Sequence, residues 1–181
     1  MRTDREELRQ KDLYFMRMAL DLARTSSSDD VPVGAVVVVG GEVMGEGTNQ
    51  GRLAHDPTAH AEVVALRVAA ARCENYRLPE STLYVTLEPC FMCFGAILES
   101  RVRRLVFAAR EPKHGVVGSL YDLQNDPRLT HRIQVEEGVC REKSISLLRD
   151  FFEKKRGREN GRNFPVPSSS KELPIPGGTE S

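Results

Sequence analysis

Two cysteines three positions apart, Cys90 and Cys93, follow a proline, and about thirty residues upstream His60 stands two positions before Glu62. Imidazole nitrogen and cysteine sulfur are the donors that zinc prefers, and a Cys-x-x-Cys pair at the start of a helix projects both sulfurs to one side. His60, Cys90 and Cys93 make three ligands. A structural zinc site is closed by four protein donors, whereas a catalytic one keeps a corner for water or substrate. Glu62 adds a carboxylate able to move the proton of such a water. A zinc-stabilised binding module would need a fourth Cys or His near the pair, and the sequence supplies none.

The remaining cysteines, Cys73 and Cys140, are isolated, which suits a reducing compartment better than a disulfide framework. His55, His114 and His131 have no neighbour at ligand spacing. His60 and Glu62 pose a geometric condition. Two positions apart inside a helix they would point to nearly opposite sides, so they can share a pocket only where the chain is entering the helix.

The elements that must position these groups read as follows. Leu13, Met16, Leu20 and Ala23 recur at helical spacing, predicting an amphipathic helix over 12–26. Val33 to Val39 is an unbroken apolar run, a strand buried on both faces; Gly40-Gly41 turns it into a second strand over 42–46. Asp56-Pro57 reads as cap and first position of a helix reaching about Arg72. A strand at 82–86, a short helix at 90–99, strands at 104–108 and 132–136, and a closing helix at 141–155 complete the order. Interleaved strands and helices call for a sheet covered on both faces.

The 181 residues and 40% hydrophobic content fit one domain, placed at 1–156. From Gly157 the composition turns to Pro, Ser, Gly and Lys, predicting a disordered tail over 157–181. No apolar run reaches the 18 or so residues that a membrane helix needs, and the charged N-terminus is unlike a secretory signal, so the expected location is cytoplasmic. With 26 basic and 26 acidic residues, any polyanion must be held by local clusters: Arg101, Arg103 and Arg104; Arg110 and Lys113; or Lys154, Lys155, Arg156 and Arg158.

The His-x-Glu and Pro-Cys-x-x-Cys pattern is the signature of zinc deaminases. The likeness extends through Val31-Pro32-Val33-Gly34-Ala35-Val36, Gly45-Glu46-Gly47-Thr48-Asn49, the His60 segment, Leu83 to Cys90, and Val117-Gly118-Ser119-Leu120, in that order. From about Phe15 to Arg156 the chain resembles the tRNA-specific adenosine deaminase family. That resemblance implies a cytidine-deaminase-like three-layer α/β/α sandwich with a central mixed five-stranded sheet. It also implies one Zn2+ per subunit, and hydrolytic deamination of adenosine to inosine at the wobble position of a tRNA anticodon, with Glu62 as proton shuttle. Partners implied are the anticodon stem-loop and a second copy of the chain. Asn49, Glu88, Arg110, Glu111, Lys113 and Phe152 take the positions of substrate contacts, Phe151 being the alternative to Phe152 for stacking on a base. Glu111 departs from the commonest family residue, Asp, by one methylene. A deaminase of a free base, nucleoside or nucleotide, of guanine, cytidine or deoxycytidylate type, shares the zinc motif and remains the alternative.

Overall fold

The structure is a computed structural model that describes residues 2–160. Its elements are α1 (Arg2–Thr25), β1 (Gly34–Val39), β2 (Glu42–Thr48), α2 (Gly51–Ala54), α3 (Ala61–Arg72), β3 (Ser81–Leu87), α4 (Phe91–Glu99), β4 (Arg104–Ala109), β5 (Gln134–Glu137) and α5 (Arg141–Asn160). The strands form one sheet in the order β2-β1-β3-β4-β5; β1 runs antiparallel to β2 and β3, while β3, β4 and β5 are parallel.

Alternation along the strands builds the two cores. Ala35, Val37, Leu83, Val85, Leu105 and Phe107 face one side, where they meet Ala61, Ala65, Leu66 and Ala69 of α3 and Phe94 and Ile97 of α4. Val36, Val38, Tyr84, Val106 and Ala108 face the other, under Phe15, Met16 and Ala19 of α1. The helix α5 joins α1 on that second side, with contacts to β3 and β4. The expected three-layer α/β/α sandwich with a mixed five-stranded sheet is the observed architecture, and the unbroken apolar run of β1 is buried on both faces as its composition requires.

Three boundaries differ from expectation. The first helix begins near the N-terminus instead of at residue 12. Residues 2–11 lack an apolar stripe but are rich in Arg, Glu, Gln and Lys, which are good helix formers. The closing helix continues through Gly157 to Asn160, four residues past the domain limit drawn at 156. The rest of the expected tail, 161–181, lies outside the described residues. Finally, Asp56 does not cap α3. Its carboxylate accepts hydrogen bonds from the backbone N–H (2.8 Å) and hydroxyl (2.7 Å) of Thr58, closing a local turn, and the helix starts five residues later.

Gly40 and Gly41 make the β1–β2 turn at φ of 60° and 89°, the left-handed region that glycine enters freely. Gly45 and Gly47 serve space. A Cβ on Gly47 would lie 2.2 Å from the carbonyl oxygen of Ala61, and one on Gly45 2.2 Å from that of Ala65, so α3 rests directly on β2. Gly47→Ala must therefore lift the N-terminal turn of α3. The expected result is a loss of about 1–3 kcal/mol, an overpacking cost, seen as a lower melting temperature; an unchanged melting temperature would show that the helix moves freely.

Candidate metal centre

His60 and Cys90 hold equivalent places: each is the residue just before a helix, His60 ahead of α3 and Cys90 ahead of α4. Both keep extended backbone, with ψ of 153° and 176°, and neither side chain bonds its own helix N-terminus. The side chains are thereby free to turn toward one another across the contact between α3 and α4. Cys93 follows one turn into α4, fully buried. Glu62 lies in the first turn of α3 and is 4% exposed. The condition that His60 and Glu62 sit at a helix entrance is met.

The donor atoms of His60, Cys90 and Cys93 all lie within 4.8 Å of one another. His60 Nδ1 is 3.4 Å from Cys93 Sγ and 3.7 Å from Cys90 Sγ. Zinc bonds of about 2.3 Å to sulfur and 2.0–2.1 Å to nitrogen, meeting at a tetrahedral angle, require a separation of about 3.6 Å. The donor set and its spacing both fit that ion. Nδ1, not Nε2, is the ligating nitrogen in this arrangement. Asp56, four residues before His60, bonds Thr58 and pairs with Arg67 at 3.5 Å.

The electrostatics match the geometry. The Cys93 thiol donates to Cys90 and holds its pKa down to about 3, with help from His60. Cys93 is pushed the opposite way, first by that same hydrogen bond and then by burial. The imidazole of His60 is raised through its bond to Cys90. In the metal-free protein the two sulfurs thus share one proton, which a divalent cation displaces.

Burial, and secondarily the Cys90 thiolate, pushes the Glu62 carboxyl up to about 7 from 4.5. Folded metal-free protein therefore keeps a proton on Glu62 that the unfolded chain has released, so this group withdraws stability as pH rises from about 4.5 to 7. The Cys90 thiolate acts in the opposite direction, so the informative quantity is a difference. Between metal-free Glu62→Gln and metal-free parent, the melting-temperature gap should widen in favour of the variant across that range. A gap independent of pH would rule out the raised carboxyl.

The candidate substrate residues have distinct fates. The side-chain nitrogen of Asn49 donates to the Val31 carbonyl (3.0 Å) and its oxygen accepts from the backbone N–H of Ala61 (3.0 Å), so Asn49 caps α3 beside His60. Glu88, expected as a contact at the pocket rim, is 3% exposed, and its carboxylate is bound to the 111–119 loop instead. Arg110 donates to the Gly118 carbonyl and to Glu137, both at 2.6 Å, bracing the same loop. Glu111 accepts from the backbone N–H of Lys113 (2.9 Å), and the Lys113 side chain is exposed. Phe152 is 43% exposed and meets Phe151 edge-on.

Of the first basic cluster, Arg103 and Arg104 are engaged in ion pairs. Arg104 makes a two-pronged pair with buried Asp12 (2.6 and 2.8 Å), which also accepts from the Tyr84 hydroxyl, and Arg103 pairs with Glu80. The last cluster gains members that the sequence did not associate. Arg24 of α1 and Arg52 of α2 join Lys154, Lys155 and Phe151 of α5 around a cleft of about 520 Å³, with Asp29 and Asp150 the acidic residues on its wall. No local pattern marks Arg24 or Arg52, because the fold alone brings them beside residues about a hundred or more positions away.

Residues 9–109 match the model of the cytidine and deoxycytidylate deaminase zinc-binding region. The chain belongs to this zinc deaminase family. Within it, similarity is high to proteins called tRNA-specific adenosine deaminase. The one from Haemophilus influenzae is 48% identical over 147 residues, covering 80% of this chain and 85% of that protein. The one from Agrobacterium fabrum is 42% identical over 144 residues, covering 79% and 95%. A structure solved in a study of A-to-I editing by tRNA:A34 deaminases at the wobble position of transfer RNA superposes with a TM-score of 0.72 at 41% identity, covering 75% of this chain and 99% of that one. Guanine deaminase from Nitrosomonas europaea superposes with a TM-score of 0.65 at 30% identity, covering 77% and 83%. The family resemblance read from the sequence is thereby established, and within its zinc-binding region His60, Cys90 and Cys93 are positioned to hold the ion.

Proposed function

We propose that the protein deaminates adenosine to inosine hydrolytically at the wobble position of a tRNA anticodon. The observation that carries the chemistry is the three-donor centre with Glu62 buried beside it. The substrate class follows from relatives 42–48% identical over about four fifths of the chain, against 30% for the guanine deaminase.

Bound zinc supplies Lewis acidity that brings a coordinated water toward neutral pKa. Two anionic thiolates weaken that effect compared with three neutral imidazoles, and the base becomes correspondingly important. Glu62 takes the proton of the attacking water, then returns protons to the ring nitrogen and the departing amine at C6. Buried in the first turn of α3 next to the donor set, Glu62 is placed to serve in both roles. Asn49 fixes the entrance of α3 and leaves one amide hydrogen and one oxygen lone pair for the nucleoside.

The RNA is held by the loop carrying Arg110, Glu111 and Lys113 and by the basic cleft. In the cleft Phe151 offers a face for stacking and Arg24, Arg52, Lys154 and Lys155 offer charge to phosphates. Phe152, the first choice on sequence grounds, remains the outward member of the aromatic pair. A second copy of the chain completes the working unit, and the protein acts in the cytoplasm. Among the described residues no helix is long and apolar enough to cross a membrane.

The test is a direct assay of the zinc-loaded protein on a transcribed anticodon stem-loop, beside free adenosine, cytidine and guanine. Inosine should form only in the stem-loop. Turnover confined to the free bases or nucleosides would reject the reading.

A further inference from the structure

We propose that Glu88 is a positioning residue for this reaction: its buried carboxylate moors the 111–119 loop to the turn that carries Cys90, and so sets how Glu111 and Lys113 meet the RNA. The proposal rests on the reading above of that loop as a substrate contact.

Glu88 directly precedes Pro89 and Cys90 in sequence. One carboxylate oxygen accepts from the backbone N–H groups of Val117 (2.9 Å) and Ser119 (3.1 Å). The other accepts from the backbone N–H of Glu111 (3.0 Å) and from the Ser119 hydroxyl. Two further bonds close the assembly: the backbone N–H of Glu88 donates to the Ala109 carbonyl (2.8 Å), and that of Val116 to the Pro89 carbonyl (3.1 Å). The loop is moulded round the carboxyl. A Cβ on Gly115 would sit 2.4 Å from Glu88 Cδ, so only glycine leaves room there.

A carboxylate buried to this degree needs compensation, and here all four bonds it accepts come from the loop. Order in the loop and satisfaction of the buried Glu88 carboxyl therefore depend on each other. A neutral amide of the same size does not substitute. Glutamine keeping its oxygen toward Val117 and Ser119 turns its NH2 group toward the N–H of Glu111, a donor facing a donor; the Ser119 hydroxyl can rotate to accept. Glu88→Gln thus frees the Glu111 end of the loop and keeps the other end tied.

The experiment uses the zinc-loaded enzyme. Kinetics on the anticodon stem-loop should show KM for Glu88→Gln raised about tenfold, the effect of one lost bond to a charged acceptor, with kcat lowered less than about threefold. Zinc should stay at one per chain. Amide hydrogen exchange should accelerate at Glu111 and stay slow at Val117. Ser119→Ala, which removes one donor and leaves the metal turn untouched, should raise KM in the same direction by a smaller factor. An unchanged KM, loss of zinc, or unaltered exchange at Glu111 would overturn the proposal. Should the parent enzyme leave the stem-loop intact, the substrate assignment fails, and the exchange measurement still decides whether Glu88 moors the loop.

Discussion

Glu62→Gln should retain one zinc per chain and lose nearly all deamination. The variant preserves volume in a site where Glu62 is 4% exposed, so packing against the α3 and α4 core is undisturbed. It also removes no metal donor, since His60, Cys90 and Cys93 complete the protein's share of the ion's coordination. What it deletes is a proton carrier placed where no other carboxylate of the centre can replace it. Positioned general acid–base groups contribute about 10² to 10⁴ in rate, and Glu62 is assigned both the acid and the base steps, so the upper half of that range is expected. Zinc analysis and single-turnover kinetics on the stem-loop provide the check. A variant within tenfold of the parent would place the proton transfer on a different group.

Removing the metal should have the second largest effect. Chelation is expected to abolish turnover and to lower the melting temperature, and one equivalent of Zn2+ should restore both. A ligand that binds only the folded protein stabilises it by about 4 kcal/mol when present at a thousand times its Kd, which for a chain of this size is a shift of roughly 8–16 °C. Cys93→Ala should reproduce the chelated state without being rescued, because Cys93 is fully buried and no other thiol stands near enough to His60 to take its place. Cys73 and Cys140, also free thiols, lie outside the donor set, and replacing them with serine should leave metal content unaltered. Rescue of Cys93→Ala by zinc alone would mean that the ion is held differently.

The metal ligands were readable in the sequence because each half of the set carries its own short pattern, two cysteines on one turn after a proline and, thirty residues upstream, a histidine two residues from a glutamate. The same is true of the sheet, whose strands carry alternating or unbroken apolar runs and whose first turn is marked by Gly40-Gly41. Where expectation and structure diverge, the deciding contact is distant or the local signal has two outlets. Asp56-Pro57 has the composition of a helix start, but the carboxylate satisfies Thr58 first and the helix waits for Ala61. Glu88 reads as a substrate contact beside the metal motif, and the groups that donate to its carboxylate are 23, 29 and 31 residues further along. Arg104 reads as part of a basic patch, and its partner Asp12 is 92 residues away. None of these pairings leaves a periodic trace in the chain.

Ala61 and Phe94 are members of one buried cluster, and each is the immediate neighbour of a metal ligand, His60 and Cys93. The gap between donors is consequently dictated by how tightly two helices nestle against a shared sheet face. A substitution at Phe94 that disturbs this packing therefore acts on the donor spacing as well as on the core. Affinity for zinc is thus tied to the tightness of the interior.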